Sequence, residues 1–261
     1  GAALTVLTAV VVLGGIQSIS KATSFIVPFM AIVYVLGGLA IIFLHYDKVI
    51  PAVELICRSA FGLDAVVGGA IGTAIRYGVA RGVFSNESGM GSAPIAAAAA
   101  KTDHPCRQAL VSMTGTFLDT LVVCSITGIV LVIGGLYATS GDTGAALTSH
   151  TFNDLLPGPG GWLVTFGLVF FAYSTILGWC YYGEKCASYL GGEKVVPIYR
   201  VIYVVTVLLG AGVNLGLVWA AADVFNGLMA VPNLIALLLL SNVIVSETRD
   251  FIQKRRSGEL H

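Results

Sequence analysis

The stretch GVARGVFSNESGMGSAP, residues 78–94, decides how this chain is read. It lies inside a long apolar run, residues 65–100, which as one helix would reach about 54 Å at 1.5 Å per residue. A bilayer core is only about 30 Å thick, so the run must break. Gly78, Gly82, Gly89 and Gly91 tolerate φ values that other residues resist, and Pro94 suits the first turn of a new helix capped by Ser92. The pattern predicts two half-helices, Val66 to about Phe84 and Ser92 to Lys101, meeting at an unwound segment over 85–91.

Unwound backbone survives in a membrane only where protein or a wet cavity satisfies its N–H and C=O groups. It thereby becomes a ligand shell. Carbonyls that end the first half-helix suit Na⁺ or an ammonium group, and N–H groups that open the second suit a carboxylate. A zwitterionic amino acid fits both, with Gly89 and Gly91 letting backbone approach it. The other reading is a re-entrant structural kink, which glycine-mediated helix packing alone explains.

Outward from this break, 56% of the 261 residues are hydrophobic and 11% charged, with 14 basic residues balancing 14 acidic. Water-soluble domains carry about 25% charge, so this is a membrane protein with no basic field for nucleic acid. Its partners are the lipid bilayer and a small-molecule substrate. Seven runs are candidate spans, over 1–16, 24–44, 65–100, 110–137, 161–181, 200–217 and 221–245. None alternates with a two-residue period, so the fold class is an all-α polytopic bundle, a single transmembrane domain over 1–261, rather than a β-barrel. Cys57, Cys106, Cys124, Cys180 and Cys186 have neither disulfide nor zinc spacing and read as small buried hydrophobes.

Alternate loops hold Lys21; Lys101 and Arg107; Lys185, Lys194 and Arg200; and Arg249, Lys254, Arg255 and Arg256. The opposite loops hold only Lys48 and Arg58. The bias places the C-terminal tail, 246–261, in the cytoplasm and the first residue outside, in a multi-pass protein of the plasma membrane. Residues 46–61 are amphipathic, with Asp47, Glu54 and Arg58 on one face, and read as a helix on the outer surface.

The segment GVARGVFSNESGMGSAPIAAAAAKTDHPCRQ resembles the hallmark of the alanine or glycine:cation symporter family. The likeness continues through FLDTLVVCSITG, FAYSTILGWCYYGEK and DVFNGLMAVPNLIALLLLSN, and so covers essentially the whole chain. It implies a sodium-coupled importer of alanine or glycine with a LeuT-type fold, in which two five-helix repeats are inverted. Aligned on that pattern, the chain runs from the fourth to the tenth transmembrane helix. It is therefore expected to be a fragment that lacks half of the site and does not transport by itself. The broken helix becomes the first of the second repeat.

On the LeuT-type pattern Phe84 touches substrate, where its ring suits a small aliphatic side chain, and Ser85 sits near sodium. Asn86, Glu87 and Ser88 add oxygens, although capping and backbone satisfaction account for such residues too. Asp119, near the middle of its span, needs a partner, whether Arg81, a cation or a proton. Arg81 pairs on this reading with Glu87 or Asp119, either holding the break open or touching substrate. Ser174 and Thr175 match the Ser/Thr pair that a LeuT-type helix gives to a sodium site, with Thr175 and Trp179 also lining the substrate pocket. Ser85, Ser174, Thr175 and Asp119 are thus the expected sodium ligands. Tyr181 and Tyr182 read as an aromatic belt, Asp223 as an outer gate or interface anchor, and Asn233 as a helix-to-helix hydrogen bonder.

An enzyme is disfavoured. His45, His104, His150 and His261 fall in loops or at the terminus, away from any serine at depth, and Asp119 is the lone aspartate at depth. The glycine-rich break lacks the GK[ST] ending of a phosphate loop, so an ion gradient must supply the energy; the resemblance implies sodium as the co-transported ion and no organic cofactor. A channel remains the alternative, since a broken helix lines a pore as readily as a carrier.

Overall fold

The computed structural model describes residues 1–14, 16–61 and 68–259, and among these its regular elements are all helices, with no strand. In chain order the helices are α1 (Ala2–Leu13), α2 (Ile16–Leu44), α3 (Tyr46–Phe61), α4 (Gly68–Asn86), α5 (Ala93–Ala97) and α6 (Pro105–Thr116). A π-helical segment, Phe117–Cys124, joins α6 to α7 (Ser125–Gly134). Then come α8 (Gly144–Leu155), α9 (Pro159–Gly191), α10 (Val196–Gly210), α11 (Leu215–Leu239) and α12 (Ser241–Ser257).

Among the described residues four helical stretches are long and apolar enough to cross a membrane: Thr23–Leu44, Pro105–Gly134, Pro159–Gly191 and Leu215–Leu239. The chain is an integral membrane helical protein. The remaining three expected spans form shorter or interrupted helices. Run 1–16 yields the 12-residue α1 and run 200–217 the 15-residue α10. That last run stops at Gly210 because Asn214 caps a new helix, its Oδ1 accepting from the amides of Gly216 at 2.9 Å and Leu217 at 3.4 Å. Run 221–245 divides at Leu240, where α11 ends. The amphipathic helix expected over 46–61 forms as α3 with those bounds, its Asp47 in the first turn and its Arg58 in the last, where each complements the helix dipole.

The expected break is present, two residues later than read. Helix α4 continues through Ser85 and Asn86 and stops where Glu87 takes φ +53°, followed by Gly89 at +78° and Gly91 at +84°. The expected start at Val66 lies outside the described residues. Pro94 sits in the first turn of the short helix, but that helix ends at Ala97 and not at Lys101. Ser92 stands at the cap position without capping, because its own backbone is helical (φ −78°, ψ −48°) and its hydroxyl is buried.

The chain forms two compact units, 1–74 with 121–213, and 75–120 with 214–261. In the first, α2, α3, α7, α8 and α9 enclose Tyr34, Ile41, Ile126, Val130, Phe152 and Val164. Between apolar helices in lipid it is close packing that drives association, and small residues permit it. A Cβ on Gly37 would collide with Leu163, one on Gly38 with Ile126, and one on Gly160 with the backbone of Phe152. The Tyr34 hydroxyl donates to Thr127 Oγ1 at 2.6 Å, since the threonine spends its own proton on the Val123 carbonyl at 2.7 Å. A second cluster joins α1, α9 and α10 through Val12, Tyr173, Leu177 and Cys180. There Tyr173 donates to the Leu7 carbonyl at 2.9 Å and Tyr203 to that of Ile176 at 2.7 Å. In the second unit, α6 packs against α12 and against α5, and α11 runs on into α12.

Candidate functional site at the helix break

The last turn of α4 is tied to the π-helical segment by two parallel contacts. Ser85 donates its hydroxyl to Asp119 Oδ2 at 2.7 Å, and Asn86 Nδ2 donates to Thr120 Oγ1 at 2.7 Å. The pairs are in register, each 34 residues apart. A π turn packs one extra residue into its hydrogen-bonded ring, and such segments are rare and concentrate at functional sites. Here it carries Asp119 and Thr120.

The orientation of the Asn86 amide follows from its partners. Nδ2 also lies 3.0 Å from the Gly82 carbonyl, which can only accept, so the atom there is the nitrogen and both its protons are used. Oδ1 is left buried and, among the described residues, without a hydrogen-bond partner. The Ser92 hydroxyl, across the turn in sequence, is buried and unpartnered as well. Each such group costs on the order of 1–3 kcal/mol if nothing comes to satisfy it. Among the described residues, two such oxygens stand on either side of the one unwound turn.

The turn itself lies against α11. A Cβ on Gly91 would stand 3.2 Å from Asn233 Oδ1, and one on Gly89 would stand 3.5 Å from Leu234. Asn233, read as a helix-to-helix hydrogen bonder, thus faces the backbone of the break. Further along α4, Arg81 forms a two-pronged ion pair with Asp223 of α11, NH1 to Oδ1 at 3.1 Å and NH2 to Oδ2 at 3.3 Å. The sequence offered Glu87 and Asp119 as its partners; the structure gives Asp223. The guanidinium also lies over the Trp219 ring, 4.1 Å from its centre, while Phe84 meets the same ring edge to face at 5.9 Å. Asp119, whose partner was left open between Arg81, a cation and a proton, accepts a hydrogen bond from the Ser85 hydroxyl.

The remaining expected ligands belong to the other unit. On α9, Ser174 donates to the Phe171 carbonyl at 3.0 Å, Thr175 is exposed, and Trp179, one turn on, packs against Tyr182 at 5.8 Å. Tyr181 is buried beside them, with Lys185 over its ring at 5.5 Å. Close by in sequence stands a pair that the sequence reading passed over. Arg200, read there as a loop charge, donates to the buried carboxylate of Glu184 through Nε at 2.7 Å and NH2 at 3.0 Å. Thr120 and Trp219 were likewise passed over. A threonine next to the singled-out Asp119, and a tryptophan one helical turn before Asp223, were the available signals.

Comparison with known proteins places this sequence in a family. The profile of the Sodium:alanine symporter family matches residues 1–261. Over 260 residues the chain is 60% identical to the sodium/alanine symporter AgcS of Methanococcus maripaludis, covering 98% of this chain and 57% of that protein. It is 35% identical over 250 residues to the probable sodium/glutamine symporter GlnT of Bacillus subtilis, covering 95% of the chain and 52% of that protein. With the sodium/proton-dependent alanine carrier protein of Bacillus sp. PS3 the identity is 32% over 266 residues, covering 95% and 60%. The chain thus spans little more than half the length of these relatives, all of which are transporters and not enzymes.

Proposed function

We propose, since this chain belongs to the sodium:alanine symporter family, that it forms the part of a sodium-coupled symporter that carries the broken helix, importing a small neutral amino acid by alternating access. Alanine or glycine is the substrate on this reading. The observation that carries it is the pair of buried oxygens, Asn86 Oδ1 and Ser92 Oγ, that have no hydrogen-bond partner among the described residues, on either side of the turn at Glu87–Met90. An aqueous channel lining would let water satisfy such atoms. A carrier that closes over its guest keeps them enclosed.

In this reading Phe84 contacts the substrate side chain, Asn86 and the carbonyls ending α4 receive its ammonium group, and the amides of the turn at Gly89 and Gly91 receive its carboxylate. Sodium, a hard cation that takes oxygen ligands, is assigned to Ser85 and Asp119 at the break and to Ser174 and Thr175 on α9. Thr175 and Trp179 are assigned as substrate contacts on α9. Arg81 and Asp223 form a gate pair, locked shut through two hydrogen bonds. The LeuT-type inverted repeat, the seven-span topology, the cytoplasmic C-terminus and the plasma membrane complete the proposal, supported by family membership and by the asymmetry of Lys and Arg among loops.

The test is uptake of labelled alanine by the whole transporter in liposomes. Uptake should saturate with alanine, require external sodium, fail when potassium replaces it, and be competed by glycine. Conductance that never saturates, or uptake indifferent to sodium, would overturn the reading.

A further inference from the structure

Thr120 has no role in the site as assigned above, yet it makes the contact on which the Asn86 amide turns. Asn86 Nδ2 has two protons and two acceptors, the Gly82 carbonyl at 3.0 Å and Thr120 Oγ1 at 2.7 Å. The first acceptor belongs to Asn86's own helix, four residues back, and would be available to any rotamer that curls along α4. The second comes from the π-helical segment and is short. With it in place the amide is pinned at both protons, and Oδ1 has one fixed direction in which to point.

We propose that Thr120 is a positioning residue for the transported cation: by holding Asn86 Nδ2, its hydroxyl presents Asn86 Oδ1 as a bare acceptor for a positive charge. This rests on the functional reading given above. An amide oxygen whose partner nitrogen already gives both protons away is polarised toward negative charge, since hydrogen bonds in a chain strengthen one another. It is therefore a better ligand for Na⁺ or for the substrate's ammonium group than a freely turning amide. The π turn has a function in this arrangement. It sets consecutive residues, Asp119 and Thr120, opposite the consecutive Ser85 and Asn86, so one contact receives a proton from Ser85 and the next from Asn86.

Thr120 is exposed, so replacing it does not open a core cavity. The experiment compares Thr120→Val, which keeps the shape and removes the hydroxyl, with Thr120→Ser, which keeps the hydroxyl, and with Asn86→Ala. All are whole transporters in liposomes at equal amounts of monodisperse protein. For each, the alanine KM at saturating sodium, the half-saturating sodium concentration at fixed alanine, and the maximal rate are read. Thr120→Val should raise one of the two constants about tenfold, near the upper end of what one neutral hydrogen bond contributes, with the maximal rate little changed. Thr120→Ser should restore it. A shift in the alanine constant identifies the ammonium as the cation served, and a shift in the sodium constant identifies the metal ion.

If Asn86→Ala shifts either constant while Thr120→Val shifts neither, the positioning role is refuted and the site assignment stands. If Thr120→Val and Thr120→Ser are equally impaired, bulk and not the hydroxyl matters, and the proposal is again overturned. Absence of sodium-driven uptake by the unmodified transporter overturns the functional reading itself, and this inference with it.

Discussion

Among the described residues Glu87 is the lone non-glycine with positive φ, and two glycines that share its handedness, Gly89 and Gly91, follow it. Gly89 and Gly91 differ in what surrounds them. A methyl at Gly89 would meet Leu234 at ordinary contact distance, 3.5 Å, so Gly89→Ala bears mainly the conformational cost of a left-handed alanine, about 1–2 kcal/mol. At Gly91 the methyl would crowd three atoms of Asn233 at 3.2 to 3.3 Å, and that side chain must shift as well. Gly91→Ala is therefore expected to lower the thermal midpoint of the purified transporter more than Gly89→Ala. Adding Asn233→Ala to Gly91→Ala should recover part of the loss while leaving the Gly89→Ala deficit untouched. Equal deficits, or no recovery, would show that the break is not seated on Asn233.

At the level of elements, the break was legible because a run of 36 residues exceeds a bilayer and glycines with a proline say where the excess is resolved. Its start was misjudged by two residues for a physical reason. Asn86 bonds back to the Gly82 carbonyl, within its own helix, so polar residues that looked like loop are the final turn of α4. The π register of 117–124 leaves no mark in composition, and the Arg81–Asp223 pair joins residues 142 apart, so neither could be read from the chain.

Another long-range contact concerns α12. His104 caps α6, its Nδ1 accepting from the Cys106 amide at 3.2 Å, which leaves the proton on Nε2 to be donated to Asp250 at 3.2 Å. The Phe251 ring lies 5.0 Å from the imidazole, and Glu247 stands 3.9 Å from Nε2. Hydrogen bonds from Lys254 first, then from His104, hold the Asp250 carboxyl below its ordinary value. A depressed carboxylate contributes above its unperturbed pKa, about 3.9, and ceases to contribute as pH falls through the lower folded value. The Lys254 bond lies within α12 and persists if that helix leaves, so only the His104 share is linked to docking. At pH 7 His104→Ala should speed amide exchange over 241–257 and at the first turn of α6 severalfold. Exchange unchanged from the parent would mean that α12 is held by other contacts.

For the whole molecule the decisive quantity is energetic. A carrier that moves one sodium ion with each alanine couples two gradients. A tenfold sodium gradient contributes about 1.4 kcal/mol, and 100 mV of membrane potential contributes about 2.3 kcal/mol per charge. Together they sustain roughly 500-fold accumulation of alanine, and no passive pore sustains any, because a pore equalises its solute whatever sodium does. Liposomes loaded with potassium and diluted into sodium, with valinomycin setting the potential, should therefore concentrate alanine against its gradient. Collapsing the sodium gradient with an ionophore should return the ratio to about one at zero potential. The dependence on potential also tests the charge balance of the site. Alanine is a zwitterion and carries no net charge, so each transported sodium that is not exchanged for a proton must appear as one positive charge moved. Uptake that responds to the sodium gradient but not to voltage would require a proton to leave as sodium enters.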